Sequence, residues 1–241
     1  MIETNKIYNM DCLDLMKKLP DKYFDLIVTD PPYGINIASN GYVGGRKLAE
    51  VTNYGIQEWD KSIPSGAYFR EMFRVAKNLI IFGGNYMTDY LPPSSCWVVW
   101  DKDNTGNFAD CELAWTSFQK SVKRLKFRWN GMLQEQMNWK EKRVHPTQKP
   151  IALGRWLLET FANKGDKIFD PFAGSGSFLV ACKQLGYDFV GCEINKDYVD
   201  IIDKRLRQKT VSDFYSNESS NRNLTENSDE FSQIEATPQL R

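Results

Sequence analysis

The sequence predicts an α/β protein in which helices cover both faces of a sheet. Two observations support this prediction. Short runs rich in β-branched and aromatic residues recur along the chain, and segments with apolar residues at helical spacing separate them. Runs of this kind suit strands that are buried on both faces. Their alternation with helices is typical of a doubly wound α/β sheet.

Each element follows from its own local pattern. Mostly apolar runs predict strands over residues 24–29, 79–82, 96–100, 111–116, 167–170 and 189–192. Helical spacing predicts helices over residues 68–76, 151–162 and 198–206, with another beginning at about residue 178. Asn195 precedes the last helix and has the side chain of a good N-cap.

The composition excludes several classes of protein. The 241 residues carry 31 basic and 31 acidic side chains, but residues 210–241 hold six acids and two bases, so the rest is mildly basic. Five scattered cysteines and one histidine argue against a disulfide framework and a structural zinc site, and no metal is predicted. No apolar run reaches the length of a membrane span, so we expect a cytoplasmic protein.

Three segments depart from the strand–helix alternation. Residues 34–64 are rich in glycine and asparagine without a clear period, which predicts a long mobile loop. Residues 120–143 carry eight bases and two acids. Residues 210–241 have few large apolar side chains and are predicted to be a disordered acidic tail. Residues 1–209 are therefore expected to form the folded domain.

The motif Asp30-Pro31-Pro32-Tyr33 follows the first long apolar strand. Its prolines fix φ and remove two backbone donors, so the neighbouring carbonyls have no local partner. A planar ring with an exocyclic amine fits these side chains and carbonyls. Asp30 and the Pro31 carbonyl would accept hydrogen bonds from its N–H groups, and Tyr33 would stack on the ring. A proline-stiffened turn explains these four residues equally well when they are taken alone.

A second motif, F-D-P-F-A-G-S-G-S, spans residues 169–177. A glycine turn between a strand and a helix presents backbone N–H groups and the positive end of the helix dipole. Glu193 ends the next strand, near the offset at which a carboxylate binds ribose in dinucleotide folds. The G-x-G-x-x-G pattern of those folds is absent, since Leu179 takes the third glycine position. The motif indicates a nucleoside cofactor, with a plain glycine corner as the alternative.

A third motif, H-P-T-Q-K-P, spans residues 145–150 and opens the helix predicted from residue 151. Thr147 and Lys149 would lie at the helix entrance, where a carboxylate is favoured. By itself, this motif is better explained as an ordinary proline-started helix.

The three motifs together resemble the amino-group DNA methyltransferases that use S-adenosylmethionine. The resemblance covers roughly residues 7–209, and the joint match is highly specific. The D-P-P-Y motif comes first and the cofactor motif last, as in the circularly permuted β group of that family. The resemblance implies a Rossmann-like methyltransferase sheet in which the strands ending at Asp30 and Asp170 are neighbours. It also implies a target-recognition region within residues 120–143.

The resemblance assigns a role to each matching residue. Asp30, Pro31, Pro32 and Tyr33 would form the catalytic amine pocket. In S-adenosylmethionine, Asp11 would contact the adenine and Glu193 the ribose hydroxyls. Asp170 would contact the amino group, and Thr147 and Lys149 the carboxylate. The residues bordering the cofactor would be Phe172, Gly174 and Gly176.

Basic residues interleaved with aromatic ones predict a DNA-binding surface. The phosphate contacts would come from Lys123, Arg124, Lys126 and Arg128 of the basic segment and from Arg46 and Lys47 of the loop. Such contacts would make binding strongly salt dependent. A solvated, charged hairpin is the alternative explanation of the segment.

These inferences predict a site-specific methyltransferase that acts on the N6 amine of adenine in duplex DNA after base flipping. N4 of cytosine is the neighbouring alternative, because both amines pose the same chemistry; in the family, Asp before Pro-Pro-Tyr favours adenine. Methylation of a protein glutamine is disfavoured because the enzymes that catalyse it have the cofactor motif before Pro-Pro-Tyr, the reverse of the order in this chain. An inactive DNA-binding homologue is disfavoured by the intact motifs.

The same inferences bear on partners and location. Duplex DNA is the implied partner, which would associate the protein with the nucleoid. The resemblance leaves open a homodimer, a restriction-modification role with a cognate endonuclease, and the recognition sequence.

Overall fold

An eight-stranded sheet forms the centre of the protein. The computed structural model describes residues 2–36, 60–103, 109–130, 133–145 and 147–208. Met1–Arg207 form one compact unit. The predicted tail, Arg46, Lys47 and most of the predicted loop (37–59) lie outside the described residues. None of the helices in the described ranges is long and apolar enough to cross a membrane.

The strands and helices fall close to the predicted positions. The strands are β1 (Lys6–Asn9), β2 (Phe24–Thr29), β3 (Ala76–Phe82), β4 (Trp97–Asp101), β5 (Cys111–Thr116), β6 (Lys123–Lys126), β7 (Trp129–Asn130), β8 (Leu133–Gln134), β9 (Lys167–Asp170) and β10 (Asp188–Glu193). The helices are α1 (Cys12–Met16), α2 (Gly66–Val75), α3 (Ile151–Phe161), α4 (Ser177–Leu185) and α5 (Lys196–Leu206). Short 3₁₀ turns span Gly84–Tyr86 and Met137–Trp139.

The sheet is doubly wound. Its strand order is β1-β10-β9-β2-β3-β5-β4-β6, and β5 alone among these strands runs antiparallel to its neighbours. From β9 the chain moves to β10 on one side, whereas from β2 it moves to β3 on the other. The order therefore reverses between β2 and β9, which pair at Ile27 and Phe169. This confirms the predicted fold class and places a crevice at the carboxyl ends of these two strands.

Successive residues of the central strands pack against opposite faces of the sheet. Leu26 and Val28 pack on the face that carries α3, α4 and α5, while Ile27 packs on the face that carries α1 and α2. Because side chains alternate along a strand, both faces need apolar residues, and the strands form continuous apolar runs in the sequence. The predicted cap is also observed: the Asn195 side chain accepts a hydrogen bond from the Asp197 N–H at 2.9 Å.

Candidate active site

The reversal of strand order brings the first two motifs to one cavity. The Thr29 hydroxyl at the end of β2 donates a 2.9 Å hydrogen bond to Asp170 Oδ1 at the end of β9. Beyond these ends, Asp30 and Gly174 line the same cavity of about 370 Å³. Two stretches about 140 residues apart in the chain thus face one volume, as the order of a doubly wound sheet requires.

The third motif lines this cavity as well. Of the residues predicted to bind the cofactor, these line it: Asp11, Thr147, Lys149, Asp170, Phe172, Gly174 and Glu193. Gly176 does not. A Cβ at this position would lie 2.8 Å from Ile202 Cγ1 of α5, and φ is +77°. Its glycine therefore allows α5 to pack over the start of α4, and the predicted contact of Gly176 with the cofactor is replaced by a packing role.

Backbone donors fix the carboxylate of Glu193 at the end of β10. The Gly174 N–H donates to Oε2 and the Asn195 N–H to Oε1, each at 2.8 Å. Burial raises the pKa of Glu193, and these donors offset part of the increase. Each oxygen keeps a further lone pair, so the carboxylate can still accept hydroxyl donors from the cavity.

Asp11 combines a structural role with a place on the cavity. Its Oδ1 accepts the Leu13 N–H at 2.8 Å as the N-cap of α1, and its Oδ2 accepts the Tyr68 hydroxyl at 2.7 Å. The Tyr68 ring lies 5.9 Å from the ring of Phe172, and both rings line the cavity. The sequence placed Tyr68 only on a helix, because its spacing matches a buried face and carries no sign of a ligand.

Asp170 is a buried carboxyl group at the base of the cavity. It is 1% exposed. Burial raises its pKa to about 8, although Thr29 and the Phe172 N–H donate hydrogen bonds to it. The group is therefore largely protonated at neutral pH, and a cation placed beside it would favour its ionised form.

The D-P-P-Y motif forms a more closed arrangement than predicted. Asp30 Oδ1 accepts the Tyr33 hydroxyl at 2.5 Å, and Oδ2 accepts the Lys149 ammonium at 2.5 Å. The Tyr33 ring stacks on Tyr86 with 5.2 Å between centroids. Asp30 and Pro32 line the cavity, whereas Pro31 is buried in the turn and Tyr33 stands behind Asp30.

Asp60, within the segment predicted to be a loop, holds the D-P-P-Y turn. Its Oδ1 accepts the backbone N–H groups of Tyr33 and Gly34 at 2.8 and 2.9 Å. Asp60 is 2% exposed. No sequence pattern indicated this role, since Asp60 lies at the end of a segment without periodicity.

Lys149 lies just before the N-cap of α3, at the predicted helix entrance, but its ammonium is paired. Its Nζ contacts Asp30 Oδ2 at 2.5 Å and Glu112 Oε2 of β5 at 3.0 Å, and its side chain is 6% exposed. Glu112 also pairs with Lys102. The Lys149 ammonium at the cavity is thus paired with two carboxylates. Thr147 remains beside the cavity, and its N–H donates to His145 Nδ1 at 3.2 Å.

His145 is a buried turn residue. Its carbonyl accepts the Gln148 N–H at 3.2 Å, and its ring lies 4.4 Å from the ring of Tyr198. Burial, with Lys149 and Arg143 nearby, lowers the pKa of His145 to about 3, so its imidazole is neutral. It lines the cavity as a flat uncharged surface.

The predicted phosphate contacts lie on β6, the edge strand of the sheet, and just after it. Arg124, Lys126 and Arg128 are exposed, and Lys123 is half-buried. Lys126 pairs with Asp103 at 2.8 Å, and Arg128 also pairs with Asp103. The segment continues into β7 and β8, which pair antiparallel to each other.

Comparisons with known proteins agree with this architecture. Residues 93–204 match the N6_N4_Mtase family model, described as DNA methylase. The chain is 25% identical to the type II methyltransferase M1.MboII of Moraxella bovis over 88% of this chain and 100% of that protein. It is also 25% identical to the type II methyltransferase M.HinfI of Haemophilus influenzae, over 85% and 68%.

One solved structure shows the shared fold. The TTHA0409 protein of Thermus thermophilus, complexed with S-adenosyl-L-methionine, superposes with a TM-score of 0.51 at 18% identity. The match covers 83% of this chain and 93% of that one.

The doubly wound sheet with its cavity at the point of reversal has the Rossmann-like fold of the α/β methyltransferases. The family match over residues 93–204 and the two type II relatives support an amino-methyltransferase of the DNA methylase type.

Proposed function

We propose that this protein transfers a methyl group from S-adenosylmethionine to the N6 amine of adenine at a specific site in duplex DNA, after flipping the base. The observation that carries this proposal is the single cavity shared by the Asp30 carboxylate and the glycine turn at Gly174. An amine acceptor and a nucleoside-binding turn are the two halves that such a reaction needs.

The cavity has the donor set that S-adenosylmethionine requires. Glu193 has free lone pairs for the ribose hydroxyls, and Asp170 is a buried carboxyl that a cationic amino group would ionise. Phe172, with Ile194 at 71% exposure on the rim, offers apolar surface for the adenine near Asp11. Gly174 would border the cofactor, and the Thr147 hydroxyl would contact its carboxylate. When bound, the cofactor supplies a methyl group on a sulfonium sulphur.

The chain's part in the reaction is to hold the target amine and accept its proton. An aromatic amine is a poor nucleophile because its lone pair is delocalised into the ring. Asp30 and the Pro31 carbonyl would accept its two N–H bonds and localise the lone pair. Asp30 would accept the amine proton as the nitrogen takes the methyl group, and would then release the proton to solvent. Holding the reactants together supplies much of the acceleration.

The base clamp can offset the cost of base flipping. Extruding a base costs a few kcal/mol. Because Tyr33 stacks on Tyr86 in the structure, a flipped base would have to displace Tyr86 or use the other face of the Tyr33 ring. Stacking there would contribute about 1–3 kcal/mol, and a hydrogen bond to charged Asp30 about 1.5–3 kcal/mol. Because the Tyr33 hydroxyl bonds Asp30 Oδ1 in the structure, an entering amine has to share this oxygen or displace that hydroxyl.

We place DNA recognition in residues 120–143, with 1–209 as the catalytic domain. The exposed side chains of β6 support this, because phosphate contacts need solvent-facing cations. A type II restriction-modification role is supported by the two relatives, both type II methyltransferases. An enzyme of this kind would act on the nucleoid in the cytoplasm. A homodimer and a cognate endonuclease remain predictions.

The test is incorporation of labelled methyl groups into duplex DNA. We expect the purified protein to label DNA, and nucleoside mass spectrometry to detect N6-methyldeoxyadenosine. Asp30→Asn should abolish labelling, while Asp25→Asn, on the same strand at the opposite end, should retain it. N4-methyldeoxycytidine as the product would establish the alternative amine. No labelling of any DNA by a folded protein that binds the cofactor would refute the proposal.

A further inference from the structure

A buried chain of four charges stands behind the catalytic carboxylate. Asp30 contacts Lys149, Lys149 contacts Glu112, and Glu112 contacts Lys102. The Asp30 and Glu112 side chains are 17% and 21% exposed, and Lys149 is 6% exposed. Charges this far from water persist only when they are paired, so each member depends on its neighbour.

The sheet order brings Glu112 to this position. β5 runs antiparallel between β3 and β4, and Glu112 pairs across to Trp100. Two residues along β5, Ala114 packs on the sheet face that carries α3. Since side chains two apart share a face, Glu112 points to the side where Lys149 enters α3.

The rings and carboxylates around the Lys149 ammonium stabilise its positive charge between Asp30 and Glu112. The Phe82 and Tyr33 ring centroids lie 5.4 and 5.6 Å from Nζ, and the two carboxylates complete the shell. Burial by itself would lower the pKa of Lys149, but Asp30 and Glu112 outweigh it, and its pKa lies above the ordinary value. The nearby His145 is neutral and leaves this balance unchanged.

Asp30 depends on this ammonium for its charge. Burial raises the pKa of Asp30, Lys149 counteracts the increase, and the like charge of Glu112 adds to it. Without Lys149, two buried carboxylates would share one site, a situation in which one of them takes up a proton. A protonated Asp30 could no longer accept the amine proton.

We propose that Lys149 is a positioning residue that keeps the Asp30 carboxylate charged and oriented, and that Glu112 fixes Lys149 there, so that Lys149 serves the catalytic carboxylate rather than the cofactor's carboxylate. This inference rests on the proposed function for its kinetic consequence. Its structural content, the effect of Lys149 and Glu112 on Asp30, can be measured without cofactor or DNA.

The test is a double-mutant cycle with Lys149→Met and Glu112→Gln. Lys149→Met should lower kcat at neutral pH by roughly 100-fold, the low end of what a general base contributes. The rate should recover as pH rises, because Asp30 then ionises. Adding Glu112→Gln removes the buried like charge and should raise kcat about tenfold above that of Lys149→Met alone. Cofactor Kd should change less than about threefold in both variants.

Matched measurements separate this role from loss of structure. Lys77→Met removes a lysine paired with Asp25 at the opposite end of β2 and β3, and should leave kcat and its pH profile unchanged. Carboxyl NMR titration of the cofactor-free protein, with the Asp30 signal assigned from Asp30→Asn, should show the Asp30 pKa raised in Lys149→Met and lowered again in the double variant.

The outcomes are distinct. A weaker cofactor Kd with unchanged kcat in Lys149→Met would show that Lys149 serves the cofactor's carboxylate and overturn the inference. Absence of any rescue by Glu112→Gln, in the rate and in the Asp30 titration, would overturn the role of Glu112. If wild-type protein methylates no DNA, the proposed function fails, while the titration still decides whether Lys149 and Glu112 control Asp30.

Discussion

Asp170 gives a direct test of how the fold prepares the cavity for a cation. Its pKa is raised to about 8 by burial, whereas an unfolded aspartate titrates near pH 4. Between these values the unfolded chain releases a proton that the folded chain keeps, so the free energy of unfolding falls as pH rises. For one group the slope is about 1.4 kcal/mol per pH unit, or about 3 kcal/mol between pH 5 and pH 7.

Asp170→Asn should remove this slope. The amide oxygen can still accept the hydrogen bonds of Thr29 and the Phe172 N–H, but it does not titrate. Urea unfolding at pH 5, 6 and 7 should show the free energy of unfolding of the variant rising, relative to that of the wild type, by about 3 kcal/mol from pH 5 to pH 7.

A control at the other end of β2 makes this measurement specific. Burial tends to raise the pKa of Asp25, but the Lys167 N–H and Lys77 outweigh it, and the pKa lies below its ordinary value. Asp25 is therefore ionised in both the folded and the unfolded chain above pH 5. A plot of the free energy of unfolding against pH for Asp25→Asn should run parallel to that of the wild type. A parallel curve for Asp170→Asn would refute the reasoning.

The same carboxyl group should couple cofactor binding to proton release. A cationic amino group beside Asp170 favours its ionised form, so binding at pH 7 should release a proton. Calorimetry in two buffers of different ionisation enthalpy should then give different binding heats for the wild type and equal heats for Asp170→Asn. Equal heats for the wild type would contradict this coupling.

Three further predictions concern the base clamp and the basic edge strand. Gly83→Ala would place a Cβ against the Tyr33 ring at φ +67°, so it should impair methyl transfer and also lower the free energy of unfolding by about 1–2 kcal/mol. The control Gly165→Ala, at φ +89° with nothing within 4 Å of its Cβ, should lower only the free energy of unfolding. Tyr33→Ala should abolish most turnover in kinetic assays yet leave calorimetric cofactor affinity nearly intact; equal losses of both would contradict the assigned role. Arg124→Ala should reduce the slope of log affinity for DNA against log salt by about 1, with Lys77→Ala as the unchanged control; an unaltered slope would exclude this phosphate contact.

Much of the fold could be predicted because its signals are local. The β2, β5 and β9 strands match the predicted runs residue for residue, since continuous apolar stretches mark strands buried on both faces. The place of β2 and β9 at the point of reversal followed from the resemblance of the motifs. The cavity lining was largely predictable for the same reason, because motifs at strand ends necessarily open on one edge of a parallel sheet.

Residues recruited from elsewhere in the chain could not be predicted. Asp60 binds the D-P-P-Y turn from 27 residues along the chain, and Tyr68 bonds Asp11 from a different helix. Gly176 faces Ile202 instead of the cavity. Each of these contacts joins segments that are distant in sequence, and no local pattern encodes the distance between them.

The sequence by itself determined the elements, the motifs and the chemistry that they carry, because propensity, periodicity and turn residues act over short stretches of chain. The tertiary structure decided what the charges do. Lys149 looked like a donor for an incoming carboxylate, yet the position of β5 in the sheet puts Glu112 beside it, and burial then favours the closest opposite charges. That choice depends on strand order and on the exclusion of water, which are properties of the packed sheet as a whole.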